Sequence, residues 1–258
     1  MSVLLTFAYR YAPLITAIGL VIVWEFACRV LSVPAYVFPS PSEIVQAPSV
    51  FTGAQLFNHF RSTVEVVIVG FLASIAISFP VAVIITHSPL LSRTVVPILV
   101  VIHSTPIVAV APIIVVALGA GVLPRVVITC LITFFPLVIS LVTGLRSTPS
   151  EILELSRSLR ASRNRELWFI RMPFAVPYIF SALKVCITLA VIGAVVGEFV
   201  TAESGLGYLI LFSTSMMKMP QSFVALVILV VLSLALYQLI ELVEKRWFAW
   251  SLPKRETA

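Results

Sequence analysis

Few residues in this chain are of the types that ionise, hold metals or attack carbon. Cys28, Cys130 and Cys186 each sit inside an apolar segment, with no disulfide or metal-ligand spacing between them. They read as small buried hydrophobes. His59, His87 and His103 are far apart, and the chain has no Asp. No metal set and no nucleophile–base constellation can be assembled from these, so the chain is not expected to be an enzyme. The one dense group of polar chemistry runs from Glu151 to Pro173, EILELSRSLRASRNRELWFIRMP. It holds eight of the chain's 28 charged residues in 23 positions and lies between two long apolar stretches. A charged helical segment in such a setting is expected to work by docking to a soluble partner.

The elements that position this segment follow from composition. Hydrophobic residues make up 60% of the chain and charged residues only 11%, against about 25% charged in a typical soluble domain. A fold of 258 residues has too little interior to hide that much apolar surface from water. The chain therefore reads as a single integral membrane domain over residues 1–258, all-α, because a lone apolar segment satisfies its backbone in lipid only as a helix.

A crossing needs about 20 apolar residues. Six are expected, at roughly 13–32, 64–86, 94–118, 124–145, 174–200 and 222–246. The first resembles a secretory leader in length, but no small-x-small cleavage site follows it, and it is expected to be retained. With the N-terminus placed in the cytoplasm, Arg10, Arg93, Arg146, Arg157, Arg160, Arg163, Arg165, Arg171, Lys245, Arg246, Lys254 and Arg255 lie inside, twelve in all. Arg29, Arg61, Arg125 and Lys218 lie outside, and Lys184 falls within a span. The bias predicts both termini and the charged loop on the cytoplasmic side. It also accounts for the net charge of +6 without nucleic acid.

The spans differ in kind. The third contains Pro97, Pro106 and Pro112, then Gly119 and Gly121. Proline removes a backbone donor and clashes with the preceding turn, so this span is expected to be kinked or split. Broken helices are tolerated where they meet protein or line a cavity. Pro106 and Pro112 are thus candidates for a translocation path, with ordinary kinked packing as the alternative. Within 200–221, Gly205 and Gly207 flank Leu206 ahead of an apolar run too short to cross, which predicts a re-entrant or interfacial turn on the outer side. Glu25 and Arg29, four apart, share a helix face and should pair. Lys184 lies two to three turns into the fifth span, within reach of the cytoplasmic interface. Glu198, near the outer end of that span among small and apolar residues, needs a partner or water. It joins Gly205 and Gly207 as a path candidate.

The loop over about 148–172 reads as two short amphipathic helices on the membrane surface. Thr148 is placed to cap the first, with Pro149 at its first position and Glu151 at the capping-box position. Ile152, Leu155 and Leu159 fall on one face. Ser162 is placed to cap a second helix through Leu167 and Ile170, ended by Pro173. Two acids and two apolar faces favour a protein partner over anionic lipid.

The order Glu154-Leu155-Ser156, three residues, Arg160, nine residues, Ile170-Arg171-Met172-Pro173 resembles the coupling motif of ATP-binding-cassette importer permeases, Glu-Ala-Ala, three residues, Gly, nine residues, Ile-x-Leu-Pro. Glu154, Ile170 and Pro173 match it. Ser156 and Met172 are mild changes, Leu155 replaces Ala, and Arg160 replaces the glycine. Phe38-Pro39-Ser40-Pro41, the region from Thr105-Pro106 to Gly121, Leu159-Arg160-Ala161-Ser162 and Ser204-Gly205-Leu206-Gly207-Tyr208 extend the likeness to about residues 15–250, within the nitrate/sulfonate/taurine-type permeases. The resemblance implies a six-helix subunit of a bacterial or archaeal cell membrane that pairs with a second permease subunit. It implies two cytoplasmic ATPase subunits that receive the loop through Glu154, Ser156, Arg160, Ala161, Ile170 and Pro173. It also implies an extracytoplasmic binding protein that delivers substrate. Across the family, substrates range over nitrate, sulfonates, bicarbonate and vitamin precursors such as pyrimidines or flavins. The chain has no Gly-rich Lys-Ser/Thr phosphate loop, so ATP is expected on the partner ATPase and no cofactor on this chain.

Two other functions compete. A proton-coupled secondary transporter would favour a chain of ionisable groups across several spans, and the sequence offers only isolated ones. A membrane-embedded enzyme would need a His, Asp or Ser constellation at span ends, and none is visible.

Overall fold

The computed structural model describes residues 2–47, 53–201 and 203–251; Lys254 and Arg255, two of the basic residues assigned to the inner side, lie outside them. Regular structure among these residues is helical throughout. Helix α1 is Ser2–Val30, α2 Pro41–Gln46, α3 Gly53–His87, α4 Pro89–Ser104, α5 Ile107–Leu118 and α6 Val122–Arg146. In the charged loop, α7 is Ser150–Ser158 and α8 a single turn, Arg163–Arg165; a π-helical turn over Glu166–Arg171 leads into α9, Met172–Thr201. Helices α10, Leu206–Ser215, and α11, Met219–Trp247, complete the chain, with a 3₁₀ turn at Ala249–Ser251.

Among the described residues, four helical stretches are long and apolar enough to cross a membrane: α3, α6, α11 and the continuous run Arg163–Thr201. The third expected span is divided. Its two pieces, α4 and α5, meet at an angle of 92° and together count as a fifth candidate. The break falls at Thr105-Pro106. Pro106 has no N–H for the Ile102 carbonyl, which instead takes the Thr105 N–H at 3.2 Å. α1 is 29 residues long, and its described side chains from Leu14 onward are mostly exposed and apolar.

The core lies where α6 is sandwiched between α3 and α9. Val66, Val67 and Phe71 of α3 meet Leu137 of α6, Cys186, Ile187, Ala190 and Ala194 of α9, Leu206 and Leu209 of α10, and Ala225 and Leu229 of α11. The small-residue run in α9 makes this approach close. A Cβ added at Gly193 would lie 2.8 Å from the Thr129 Cα of α6, so any side chain there would force the two helices apart.

Polar links tie on the outer elements. Arg29 pairs with Glu25 at 2.6 Å, as their spacing predicts. The same Glu25 carboxylate accepts the Ser42 N–H at 3.0 Å and the Ser42 hydroxyl at 2.8 Å, fastening α1 to α2. Trp24, Phe38 and Phe223 form a three-ring cluster with centroids 5.4–5.9 Å apart, joining α1 to α11. Lys184 has a partner within the bundle. Its ammonium pairs with the buried Glu244 of α11 at 2.6 Å, which relieves a charge that would otherwise be stranded.

Candidate functional site

The charged loop at one end of the bundle departs from expectation at both helix ends. Thr148 does not cap α7: the helix begins after Pro149, and the Thr148 hydroxyl is buried without a partner. Pro173 does not end the second helix. The chain passes through it into α9, and the Met172 N–H reaches back five residues to the Leu167 carbonyl. One residue of π-type slack absorbs the proline without a break. Ser162 does cap its helix, accepting the Arg165 N–H at 3.4 Å.

Between the two helices, Arg160 takes φ 53°. The Arg160 N–H donates to the Arg157 carbonyl at 2.9 Å and the Ala161 N–H to the Ser156 carbonyl at 3.0 Å. These are the paired bonds of a Schellman closure, with Arg160 at the left-handed position where glycine is usual. Arg160 thus takes, as a non-glycine residue, a conformation that favours glycine. Ser156 is buried beneath the turn, while Glu154 is exposed.

The loop is bound to the bundle on one side and open on the other. Arg171 pairs with Glu166 at 2.7 Å and donates to the Leu145 carbonyl of α6 at 3.2 Å. Arg146 at the end of α6 donates to the Ile85 carbonyl of α3 at 3.4 Å. Leu167 is buried against Leu145 and Ala175. On the outer side Leu155 is 60% exposed, Leu159 74% and Phe169 79%. Of the loop's expected apolar face, Leu155 and Leu159 thus have no cover among the described residues, and Phe169 adds a ring that periodicity did not single out.

At the far end of α9, about 40 Å away by helical rise, Glu198 is 1% exposed. It has the partners its setting demanded. Three successive backbone amides entering α10 each find a side-chain acceptor. Gly205 N–H donates to His59 Nδ1 at 3.0 Å, Leu206 N–H to Thr63 Oγ1 at 2.8 Å, and Gly207 N–H to Glu198 Oε2 at 2.7 Å. The Thr63 hydroxyl donates in turn to Glu198 Oε1 at 2.8 Å. An acid at a helix N-terminus satisfies orphan donors and complements the helix dipole. Gly205 has φ 125°, and a Cβ there would overlap the Glu198 carboxyl group, so both φ and space require glycine. Arg125 of α6 sits beside this cluster, donating to the Ser62 hydroxyl at 3.3 Å, the Ser204 carbonyl at 3.4 Å and the Gly121 carbonyl at 3.0 Å.

The structure thus brings Glu198, Gly205 and Gly207 together and leaves the two prolines elsewhere. Pro106 lines a cleft of about 470 Å³ at the break between α4 and α5, with Leu99, His103, Ser104, Thr105 and Phe135 among its walls. Pro112 lies farther along α5 and is exposed. Sequence alone does not single out Thr63, and it presents His59 and Arg125 only as a scattered histidine and an outward basic residue. For Arg125 a signal existed: it and Glu198 are opposite charges at matching ends of neighbouring apolar segments. For Thr63 there was none.

Residues 74–249 match the family described as binding-protein-dependent transport system inner membrane component. A probable ABC transporter permease protein of Haemophilus influenzae is 35% identical, over 93% of this chain and 97% of that protein. The riboflavin transport system permease protein RibX of Chloroflexus aurantiacus is 32% identical, over 92% of this chain and 88% of its own length. The formylaminopyrimidine transport permease protein ThiX of Halalkalibacterium halodurans is 30% identical, over 92% and 95%. Among solved structures, a chain of the inward-facing methionine ABC transporter MetNI superposes with a TM-score of 0.65 at 21% identity, covering 78% of this chain and 98% of that one. The chain therefore belongs to the inner-membrane components of binding-protein-dependent transport systems, the permeases of ABC transporters.

Proposed function

We propose that this chain is the membrane-spanning subunit of an ATP-driven importer. It crosses the membrane six times, through α1, α3, the α4–α5 pair, α6, α9 and α11, with both termini and the 148–172 loop in the cytoplasm. Two such subunits, identical or related, enclose the path. Two cytoplasmic ATP-binding-cassette ATPase subunits bind ATP and receive the loop, and an extracytoplasmic binding protein delivers the solute. The solute is small: an organic anion such as a sulfonate, nitrate, or a vitamin-like heterocycle such as a pyrimidine or flavin. Relatives named for riboflavin and formylaminopyrimidine transport favour the heterocycle.

The observation that carries this reading is the two-sided loop. Arg171 and Leu167 hold it against the ends of α3, α6 and α9, so a push on it is passed to those helices. Its other side offers Glu154, Leu155, Leu159 and Phe169 uncovered, an apolar patch with charge at its edge suited to a protein groove. A proton-coupled carrier finds no support here. Glu198 is occupied in holding the α10 N-terminus, and family membership speaks for ATP-driven transport.

Path residues follow with less weight on Glu198 than its position alone gave it. The α9 face bearing Gly193, Ala194, Gly197 and Glu198 is buried against the bundle. Glu198, Gly205 and Gly207 then shape the outer mouth from behind, while Pro106 opens a wall of the path. The test of coupling is Glu154→Lys. The variant should insert normally yet lose co-purification of the ATPase and ATP-driven uptake in reconstituted vesicles. Unchanged co-purification and uptake would remove Glu154 from the docking surface.

A further inference from the structure

The cleft at the break in the α4–α5 pair has a chemistry of its own. Its volume, about 470 Å³, lies in the range of small-molecule sites. Two aromatic rings form part of its wall: His103 stacks on Phe135 with centroids 4.3 Å apart and planes 16° from parallel. Phe134 is a further wall residue, and no Lys, Arg, Asp or Glu is among them. The polar groups present are backbone ends, hydroxyls and the His103 imidazole. The last turn of α4 presents carbonyls and the first turn of α5 presents N–H groups, because each helix end leaves such groups without intrahelical partners. Pro106 stands at the N-cap of α5, with no side-chain cap on those donors. The Ser104 hydroxyl spends its proton on the Val100 carbonyl at 2.8 Å, so its oxygen remains an acceptor towards the cleft.

This surface does not face lipid. His103, Ser104 and Thr105 are exposed in the middle of an apolar helix pair, and unpaired backbone at membrane depth is tolerated only against protein or a water-filled cavity. We propose that the cleft is a transit site for an uncharged, planar heterocycle, its face against the His103–Phe135 stack and its edge matching the donors of α5 and the acceptors of α4. A sulfonate is best met by a guanidinium or ammonium that replaces its hydration, and neither lines the cleft. This rests on the reading of the chain as a solute permease and narrows the substrate class at that permease's own path.

The test uses the full chain in lipid nanodiscs, with Cys28, Cys130 and Cys186 changed to Ser and Ser104→Cys as a reporter. The rate of maleimide labelling is measured with lumiflavin as planar uncharged probe and ethanesulfonate as anionic probe. Lumiflavin should slow labelling about tenfold when present at about ten times its dissociation constant, and ethanesulfonate should have no effect. Ile113→Cys, exposed on α5 outside the cleft, should be protected by neither. Adding Phe135→Leu, which keeps an apolar side chain but removes the ring, should abolish protection; His103→Gln should weaken it while keeping a polar group. Equal or better protection by ethanesulfonate, no protection by lumiflavin, or protection that survives Phe135→Leu would each overturn the proposal. The assay needs no ATPase, so its failure is separable from failure of the Glu154 test.

Discussion

Thr63→Val isolates one hinge-pin of the fold without changing side-chain volume. The Thr63 hydroxyl is fully buried and does two jobs at once: it accepts the Leu206 N–H at 2.8 Å and donates to Glu198 Oε1 at 2.8 Å. Valine fills the same space with a methyl group. It leaves one buried amide without an acceptor and one carboxylate oxygen short of a donor. A hydrogen bond to a charged acceptor contributes about 1.5–3 kcal/mol and a neutral one about 0.5–1.5, so the loss is about 3 kcal/mol. That loss falls on the segment entering α10 rather than on the α3–α6–α9 core, because the broken bonds are those that hold 204–207 to α3 and α9. Local opening there should become roughly a hundredfold more frequent. Hydrogen exchange followed by mass spectrometry on peptides covering 203–210 should record that acceleration, with peptides from α6 unchanged. Thr86→Val is the control. Its hydroxyl only bonds back to the Ala82 carbonyl of its own helix, and its loss should leave exchange at 203–210 as it was. Exchange in that segment unaltered by Thr63→Val would refute the claim that these side chains hold the loop.

Two further outcomes are expected. Lys184→Met strands the Glu244 carboxylate, 3% exposed, and should destabilise the purified protein by about 3–5 kcal/mol. Adding Glu244→Gln should recover most of the lost thermal midpoint, and a double variant no better than the single would show that the pair at 2.6 Å is not the cause. Arg160→Gly removes a side chain from a residue at φ 53° and should raise the midpoint by the equivalent of about 1 kcal/mol, whereas Arg160→Val should lower it; a loss on Gly would mean that the guanidinium makes a contact worth more than the backbone strain.

Much of the fold was legible because the bilayer permits so few backbones. Long apolar runs gave α3, α6, α9 and α11 to within a few residues over their apolar parts, and Arg160, at the place where the resembled motif has glycine, is left-handed. What misled was local reasoning at helix ends. Thr148, Pro149 and Glu151 form a good capping pattern, yet Thr148 is drawn into the interior and α7 starts after the proline. Pro173 reads as a stop, but stops require somewhere for the chain to turn, and Leu167 packed on Leu145 and Ala175 keeps the axis running straight into α9.

The prolines make the same point about what a sequence withholds. Pro80, Pro97, Pro112, Pro136 and Pro177 all lie inside continuous helices, and among the described residues only at Pro106 does a span divide, through 92°. A proline removes one donor and creates one clash wherever it occurs, so its presence alone does not select the break. At 106 the preceding residues are His103, Ser104 and Thr105, and the hydroxyls of the last two bond locally to backbone and offer the chain an alternative to the helical ladder. The Ser104 hydroxyl bonds the Val100 carbonyl and the Thr105 hydroxyl the Val101 carbonyl at 3.4 Å. At 80, 97, 112, 136 and 177 the residue before the proline is Phe, Val, Ala, Phe or Val, with no such competitor. Three polar residues before a proline in an apolar span are therefore a better mark of a broken helix than the proline count. They mark, too, the place where a membrane helix exposes backbone that a passing solute could use.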